Sequence, residues 1–290
     1  MEWIIEKIHE GLLIRTYLQR EHSFSRRMIK SIKFNGGKIL VNGTSQNVRY
    51  ELKEGDRLEV QFPPEKIGAY MEAEDTPLSI VYEDDAVLVI NKAAGMLSIP
   101  SLLQPNGTVA NALLGHYKNQ EIANTVHIVT RLDKDTSGLM LIAKNSYSHS
   151  RLSNFQKNGK VKRHYEALVE GKPSVEKVLI DAPIGRKDGS IIERVVREDG
   201  KQAITHFKVK AAFQAYSLVS IQLETGRTHQ IRVHFAYLGH PLIGDTLYGG
   251  DDKLIKRQAL HCCSLTFKHP ITNEEMHFHQ DMPQDMKRLV

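Results

Sequence analysis

Five consecutive apolar residues, Leu139 to Ala143, follow directly on the polar stretch Arg131-Leu-Asp-Lys-Asp-Thr-Ser-Gly138. A run of that length fits a strand buried on both faces and is too short for a buried helix. It therefore demands a covered sheet, and it pins the polar stretch to the start of a core strand. Loops held on rigid strands are where scaffolds usually carry chemistry. This loop sets a carboxylate, Asp133, two residues from a permanent cation, Arg131.

The rest of the chain must supply that sheet. Further strands are expected at Ala86 to Ile90, Glu166 to Val169, Tyr216 to Leu223 and Gln230 to Phe235. In Tyr216 to Leu223, Val219, Ile221 and Leu223 alternate with polar neighbours, as on a half-buried strand. Helices are expected near Val109 to Tyr117 and from Ser146, as a cap, to Lys157. Strands outnumber helices without a βαβ rhythm, so an α+β class is expected. A chain of 290 residues can hold one large core or two unequal ones.

The N-terminal part has its own pattern. Leu12 to Glu21 reads as a helix, and Ser23 or Ser25 caps a second that stops at Gly36-Gly37. On that second helix Arg26, Lys30 and Lys33 share one face, with Met28, Ile29 and Ile32 on the other. A strand at Lys38 to Val41, a tight turn at Asn42-Gly43 and an alternating strand Arg57 to Phe62 complete a small unit. Ten Lys/Arg against five Asp/Glu fall between Leu12 and Val60, an excess equal to the whole net charge of +5. A basic end on a neutral body fits either a polyanion-binding module or a solvated face. Pro63-Pro64 opens a segment without periodicity. The expected organisation is a basic unit over 1–65, a linker over 66–77 and a larger domain over 78–290.

No apolar run approaches the ~18 residues of a membrane span. The first residues, Met-Glu-Trp-Ile-Ile-Glu-Lys, lack a signal core. The only cysteines, Cys262 and Cys263, are adjacent and unsuited to a structural disulfide. The expected setting is the cytoplasm.

Four segments could carry chemistry. In the polar loop, Asp135 before Thr-Ser-Gly is suited to binding local backbone N–H groups in a turn. Asp133 is either a solvated partner of Arg131 or Lys134 or, if Leu132 points into the core, a cleft carboxylate. In Leu223-Glu-Thr-Gly-Arg-Thr-His-Gln-Ile-Arg-Val-His-Phe235 a strand reading puts Arg227, His229, Ile231 and Val233 on one side. His229 and His234 then fall on opposite faces and cannot ligate one metal ion. A buried arginine here needs a carboxylate partner, and Asp133 is the candidate. Tyr165 enters an apolar strand, and Lys92 stands beside a glycine turn. No phosphate loop, dinucleotide fingerprint, zinc spacing or nucleophile elbow occurs, so neither metal nor cofactor is expected.

The N-terminal unit, through Arg26-Arg27, Lys30, Gly37-Lys-Ile-Leu-Val-Asn-Gly43 and Leu52-Lys-Glu-Gly-Asp-Arg57, resembles the RNA-binding domain first known from ribosomal small-subunit protein four. That likeness implies that Arg26, Arg27, Lys30 and Lys33 lie along an RNA backbone. The larger domain resembles the RluA-type family of pseudouridine synthases. The resemblance rests on Glu83-Asp-Asp, Asn91-Lys92 and Gly95, then Arg131 to Gly138, Tyr165 to Gly171, Pro183 to Arg186 and Lys201 to Thr205. It continues in Thr225 to Arg232, Gly239 to Asp245, Tyr248-Gly249 and Leu260-His261.

The family likeness implies a mixed, largely antiparallel sheet flanked by helices. It implies isomerisation of uridine to pseudouridine in structured RNA, with large-subunit ribosomal RNA as the expected target. It assigns catalysis to Asp133, Tyr165 and Arg227, with Arg227 paired to Asp133 and Tyr165 stacked near the uracil or acting as a base at the ribose. Ile231 would line the base pocket, and Arg131 would enter the space left by a flipped nucleotide. Two positions depart from the family pattern. Thr130 stands where histidine is usual before Arg-Leu-Asp, and Ala93 where proline is usual after Lys92. A monomer acting on RNA without a protein partner is expected. Two rivals are an RNA-binding or ribosome-assembly factor on an impaired scaffold, and a nucleoside glycosidase. The latter needs a second placed carboxylate, a role that a turn-bound Asp135 does not fill.

Overall fold

A computed structural model describes residues 1–65, 71–122, 124–174 and 177–290. The chain divides into two compact units, 1–69 with 117–125 and 70–116 with 126–290.

In the first unit, β1 (Glu2–Ile4), α1 (Ile14–Arg20), α2 (Arg26–Phe34), β2 (Lys38–Val41), β3 (Thr44–Ser45) and β4 (Arg57–Gln61) follow in order. Its four strands form an antiparallel sheet in the order β1-β4-β2-β3. Ser25 caps α2, its hydroxyl accepting from the Met28 N–H at 3.1 Å. Ile29 and Ile32 are buried while Arg26, Arg27, Lys30 and Lys33 are exposed. Thus α2 is amphipathic in the way its charge spacing requires. Arg15, Arg26, Lys30, Lys33 and the exposed Phe34 line a groove on that unit.

The second unit is α+β. It contains β5 (Ile80–Glu83), β6 (Val87–Lys92), α3 (Val109–Asn119) as far as His116, β7 (His127–Ile128), β8 (Ser137–Ala143) and α4 (Ser146–Lys157). Then come β9 (Lys162–Glu170), β10 (Lys177–Asp181), β11 (Ile184–Arg186), β12 (Arg194–Val196), β13 (Ile204–Ala212) and β14 (Tyr216–Leu223). It ends with α5 (Gln230–Tyr237), β15 (Leu260–Lys268), β16 (Glu275–His279) and α6 (Gln284–Lys287). The main sheet runs β10-β13-β14-β9-β15-β8-β6-β5, with β16 on β15 and β7 on β8. Only β8 and β15 pair in parallel among its described strands; the others are antiparallel.

All seven residues of β8 are buried, as its apolar run demands, and β8 sits inside the sheet between β15 and β6. Gly138, its second residue, sits at φ +114°, and a Cβ there would run into the Cys262 backbone. No other residue type lets the two strands approach so closely at that φ. The polar loop is thereby drawn tight against the start of β15.

Two expectations are corrected here. Gln230 to Phe235 is not a strand but most of helix α5. Every residue from Gln230 to Phe235 is buried, so neither a period of two nor one of 3.6 shows in the sequence. The cap of α4 is Asn145, not Ser146: its side chain accepts from the Ser148 N–H at 2.8 Å. Of the expected linker, 66–70 lie outside the described residues. Farther on, Glu74 N–H donates to the Asn111 carbonyl at 3.0 Å, and Asn111 Nδ2 donates to the Glu72 carbonyl at 2.9 Å. That stretch therefore lies along α3 instead of hanging free.

Candidate active site

A cleft of about 710 Å³ opens over the sheet, lined by Arg131, Asp133, Tyr165, Arg227 and Ile231 among others. Its lining comes from the loop before β8, the strand β9, the turn before α5 and the start of that helix, the segment Gly244 to Leu247, and the stretches 97–99 and 256–258 among others.

The loop is fixed by its backbone. Leu132 is buried, so Asp133 is turned to the cleft, with 28% of its side chain exposed. The Ser98 hydroxyl donates to the Leu132 carbonyl at 2.7 Å and accepts from the Leu132 N–H at 3.2 Å. The turn is closed by Thr136 N–H donating to the Asp133 carbonyl at 3.1 Å. The expected bond from the Asp135 carboxylate to local N–H groups does not occur among the described residues. Beneath the loop lies Lys92, 2% exposed. Its ammonium donates to the carbonyls of Ala93, Met96 and Lys134, each at 2.8 Å. Three acceptors use all three protons of a charged amine, so Lys92 clamps the Asp133 loop to the turn at Gly95. Burial pushes its pKa down to about 8, opposed by Asp135 and Asp133. Thr130 is buried and its hydroxyl accepts from the Leu141 N–H at 2.8 Å, so the departure there is tied into β8.

Asp133 has a cationic partner, but it is not Arg227. Arg232 Nη1 stands 3.3 Å from Asp133 Oδ2. The same guanidinium grips Asp245 in a fork, Nε to Oδ2 at 2.7 Å and Nη2 to Oδ1 at 2.8 Å. Asp245 is 1% exposed and Arg232 is 7% exposed. Burial works against the Arg232 charge, but Asp245 and Asp133 outweigh it, and its pKa is raised. Arg227 is exposed, and its Nε donates to the Gln202 carbonyl at 2.8 Å. The physical reason is the helix. In the strand reading Arg232 and Ile231 faced opposite ways; in α5 they are 100° apart, and both border the cleft.

The turn before α5 is held by Gln230, which is 2% exposed. Its Nε2 donates to the Ile204 carbonyl and to Thr205 Oγ1, both at 3.0 Å. Its Oε1 accepts from the Thr225 hydroxyl at 2.8 Å and the Arg227 N–H at 2.9 Å. His229 caps α5 at φ 57°, a left-handed conformation uncommon outside glycine. Tyr248 Oη accepts from the Arg194 N–H at 3.0 Å and shares a hydrogen bond of 2.8 Å with His229 Nδ1. His229 Nε2 faces Asp133 Oδ2 at 3.9 Å. Burial lowers the His229 pKa, opposed by the Asp133 carboxylate. His234 is fully buried between Thr205 Oγ1 and the Ala182 carbonyl, both at 2.9 Å. Both histidines of the motif are thus occupied by hydrogen bonds.

Tyr165 is 3% exposed on β9, opposite Cys262 in the ladder. Burial raises its pKa far above the usual phenol range, with Arg163 opposing. Ile231 is 4% exposed at the same cleft, and Arg131 is exposed at its rim. Arg26, Arg27, Lys30 and Lys33 belong to the other unit. Reasoning from sequence did not single out Arg232, His229, Asp245 or Tyr248 as a linked group. The available signal was an arginine within Gln230-Ile-Arg and a lone aspartate after a glycine turn, Gly244-Asp245.

Residues 86–237 match the family model described as RNA pseudouridylate synthase. The chain is 53% identical over 270 residues to an uncharacterized RNA pseudouridine synthase of Bacillus subtilis, YjbO, covering 93% of this chain and 95% of that one. It is 41% identical over 282 residues to the ribosomal large subunit pseudouridine synthase D of Vibrio parahaemolyticus, covering 92% and 86%. Among solved structures it is similar to human RNA pseudouridylate synthase domain containing 1, with a TM-score of 0.58, 26% identity and coverage of 75% and 86%.

Proposed function

The chain belongs to the RNA pseudouridylate synthase family, isomerases of uridine in RNA, and from that premise we propose that it modifies large-subunit ribosomal RNA with Asp133 as the catalytic group. The observation that carries the site assignment is the Asp133 carboxylate, aimed into the cleft and held beside the fixed charge of Arg232. The reaction breaks the bond from C1′ to N1 and leaves its electron pair on the uracil. The base turns, C5 bonds to C1′ and gives up its proton, and N1 takes one, so the product is an isomer. Asp133 acts on the sugar or the base while the uracil is free. Tyr165 serves as the aromatic wall of the base pocket with Ile231. A phenol pushed upward by burial is a poor proton acceptor, which sets the stacking role above the base role. Arg131 at the rim fills the space of the flipped nucleotide, whose extrusion costs a few kcal/mol.

The target rests on the 41% identity to a large-subunit synthase and on the basic groove of the N-terminal unit. An assembly factor on an impaired scaffold is disfavoured by the intact Asp133–Arg232–Asp245 set. The protein acts as a monomer in the cytoplasm. Mapping pseudouridine in large-subunit ribosomal RNA from cells with and without the gene tests this reading. Loss of at least one position is expected, and an unchanged map with a changed position in transfer RNA would overturn the target.

The groove on α2 gives a separate prediction. Arg26→Ala with Lys30→Ala removes two cations from one face. Affinity for the RNA should fall at low salt, and the slope of log affinity against log salt should become shallower by about 1.4, at ~0.7 per lost single-strand phosphate contact. An unchanged slope takes α2 off the RNA.

A further inference from the structure

Arg163 is the one cation of the cleft that is both buried and unpaired among the described residues. It is 7% exposed on β9, two residues before Tyr165 and so on the same face of the strand. Its Nε is buried without a hydrogen-bond partner. Its Nη2 packs against the turn before α5, where a Cβ on Gly226 would come within 3.0 Å. No carboxylate of the described residues pairs with it. The other cations largely shielded from water in the cleft or beneath it are satisfied. Arg232 has Asp245 and Asp133, Arg257 has Asp285 at 2.7 and 2.9 Å, and Lys92 has its three carbonyls. Arg131 and Arg227 are exposed to water.

A guanidinium cannot shed its charge, and burying it without a counter-charge is costly. Such a group persists where the counter-charge arrives with a ligand. The strand holds it there rigidly, and Gly226 leaves room for its fork. We propose that Arg163 is a substrate-binding residue whose partner is a negative charge carried into the cleft by the target nucleotide. This rests on the reading that the cleft takes a flipped uridine. Two parts of that nucleotide carry such a charge: its phosphodiester, throughout binding, and its uracil, between cleavage of C1′–N1 and formation of C5–C1′. A bidentate guanidinium suits the oxygens of either.

The test uses the full chain and a ribosomal RNA fragment holding the mapped uridine, with wild-type conversion of that fragment reporting on the function reading alone. Affinity is measured for Arg163→Gln in the Asp133→Asn background, and the single-turnover rate in the otherwise native protein at saturating RNA. If the phosphodiester is the partner, affinity falls roughly ten- to hundredfold and the salt slope becomes shallower by about 0.7. A neutral methylphosphonate beside the target then weakens wild type but not the variant. If the uracil is the partner, affinity and slope are retained, the saturated rate falls about a hundredfold or more, and Arg163→Lys recovers part of it. Either result supports the proposal. Affinity and rate both within about twofold of wild type would overturn it. Should Arg163→Gln fail to fold by circular dichroism, Arg163→Lys and the methylphosphonate scan on wild type are read in its place. A wild-type rate in Arg163→Lys, with no loss at any methylphosphonate, overturns the proposal in that case.

Discussion

Asp133→Asn yields a folded protein that binds its RNA and forms no pseudouridine. The amide keeps the shape of the carboxylate and removes its charge. Of the two other carboxylates that line the cleft, Asp245 is buried and engaged on both oxygens by Arg232, and Asp135 has no arginine partner among the described residues. The expected fall in single-turnover rate is roughly four orders of magnitude or more, as when a group acting directly on the reacting atoms is removed. The cost in stability is small. Asp133 meets Arg232 through one 3.3 Å contact and is partly exposed, so the change is under about 1 kcal/mol. Rate and unfolding temperature measured on the same preparation separate the two. A variant that converted uridine at the wild-type rate would sink the assignment.

Arg232→Met is expected to damage both activity and stability. It leaves Asp245, 1% exposed, with a buried charge and no partner. Removing one member of such a pair costs about 3–5 kcal/mol. Asp133 also loses its fixed counter-charge, so the residual rate should fall at least a hundredfold. The double variant Arg232→Met with Asp245→Leu distinguishes the two effects. With neither charge buried, most of the stability returns, because the cost came from the orphaned carboxylate. Activity stays lost. Thermal unfolding and single-turnover assays of both variants provide the check, and an active double variant would remove Arg232 from the chemistry. Arg227→Gln is the contrasting control: with Asp133 still paired, its effect on the saturated rate should stay within about tenfold.

That contrast also marks the limit of what was legible beforehand. The apolar run of β8 announced a central strand because it lacks any polar interruption. The amphipathic face of α2 was plain because its charges fall at helical spacing on a half-exposed helix. Segment Gln230 to Phe235 offered neither cue, being buried on every side. The family likeness carried Arg227 toward Asp133, and the strand reading gave no reason to prefer Arg232. Lys92, legible only as a lysine beside a glycine turn, clamps the Asp133 loop through a residue 42 positions away in sequence. Arg163 had no distinguishing mark in a basic stretch beside Lys162.

By itself the sequence determined the α+β class, the carboxylate at the start of a core strand, the basic helix and the family, since those follow from local periodicity and contiguous motifs. Only the tertiary structure decided which cations serve the site. Pairing of Asp133 with Arg232, the placing of His229 between Tyr248 and Asp133, and the unpaired Arg163 depend on long-range approach. Burial and the direction of a side chain within a packed helix set that approach, and neither is encoded in the spacing of residues along the chain.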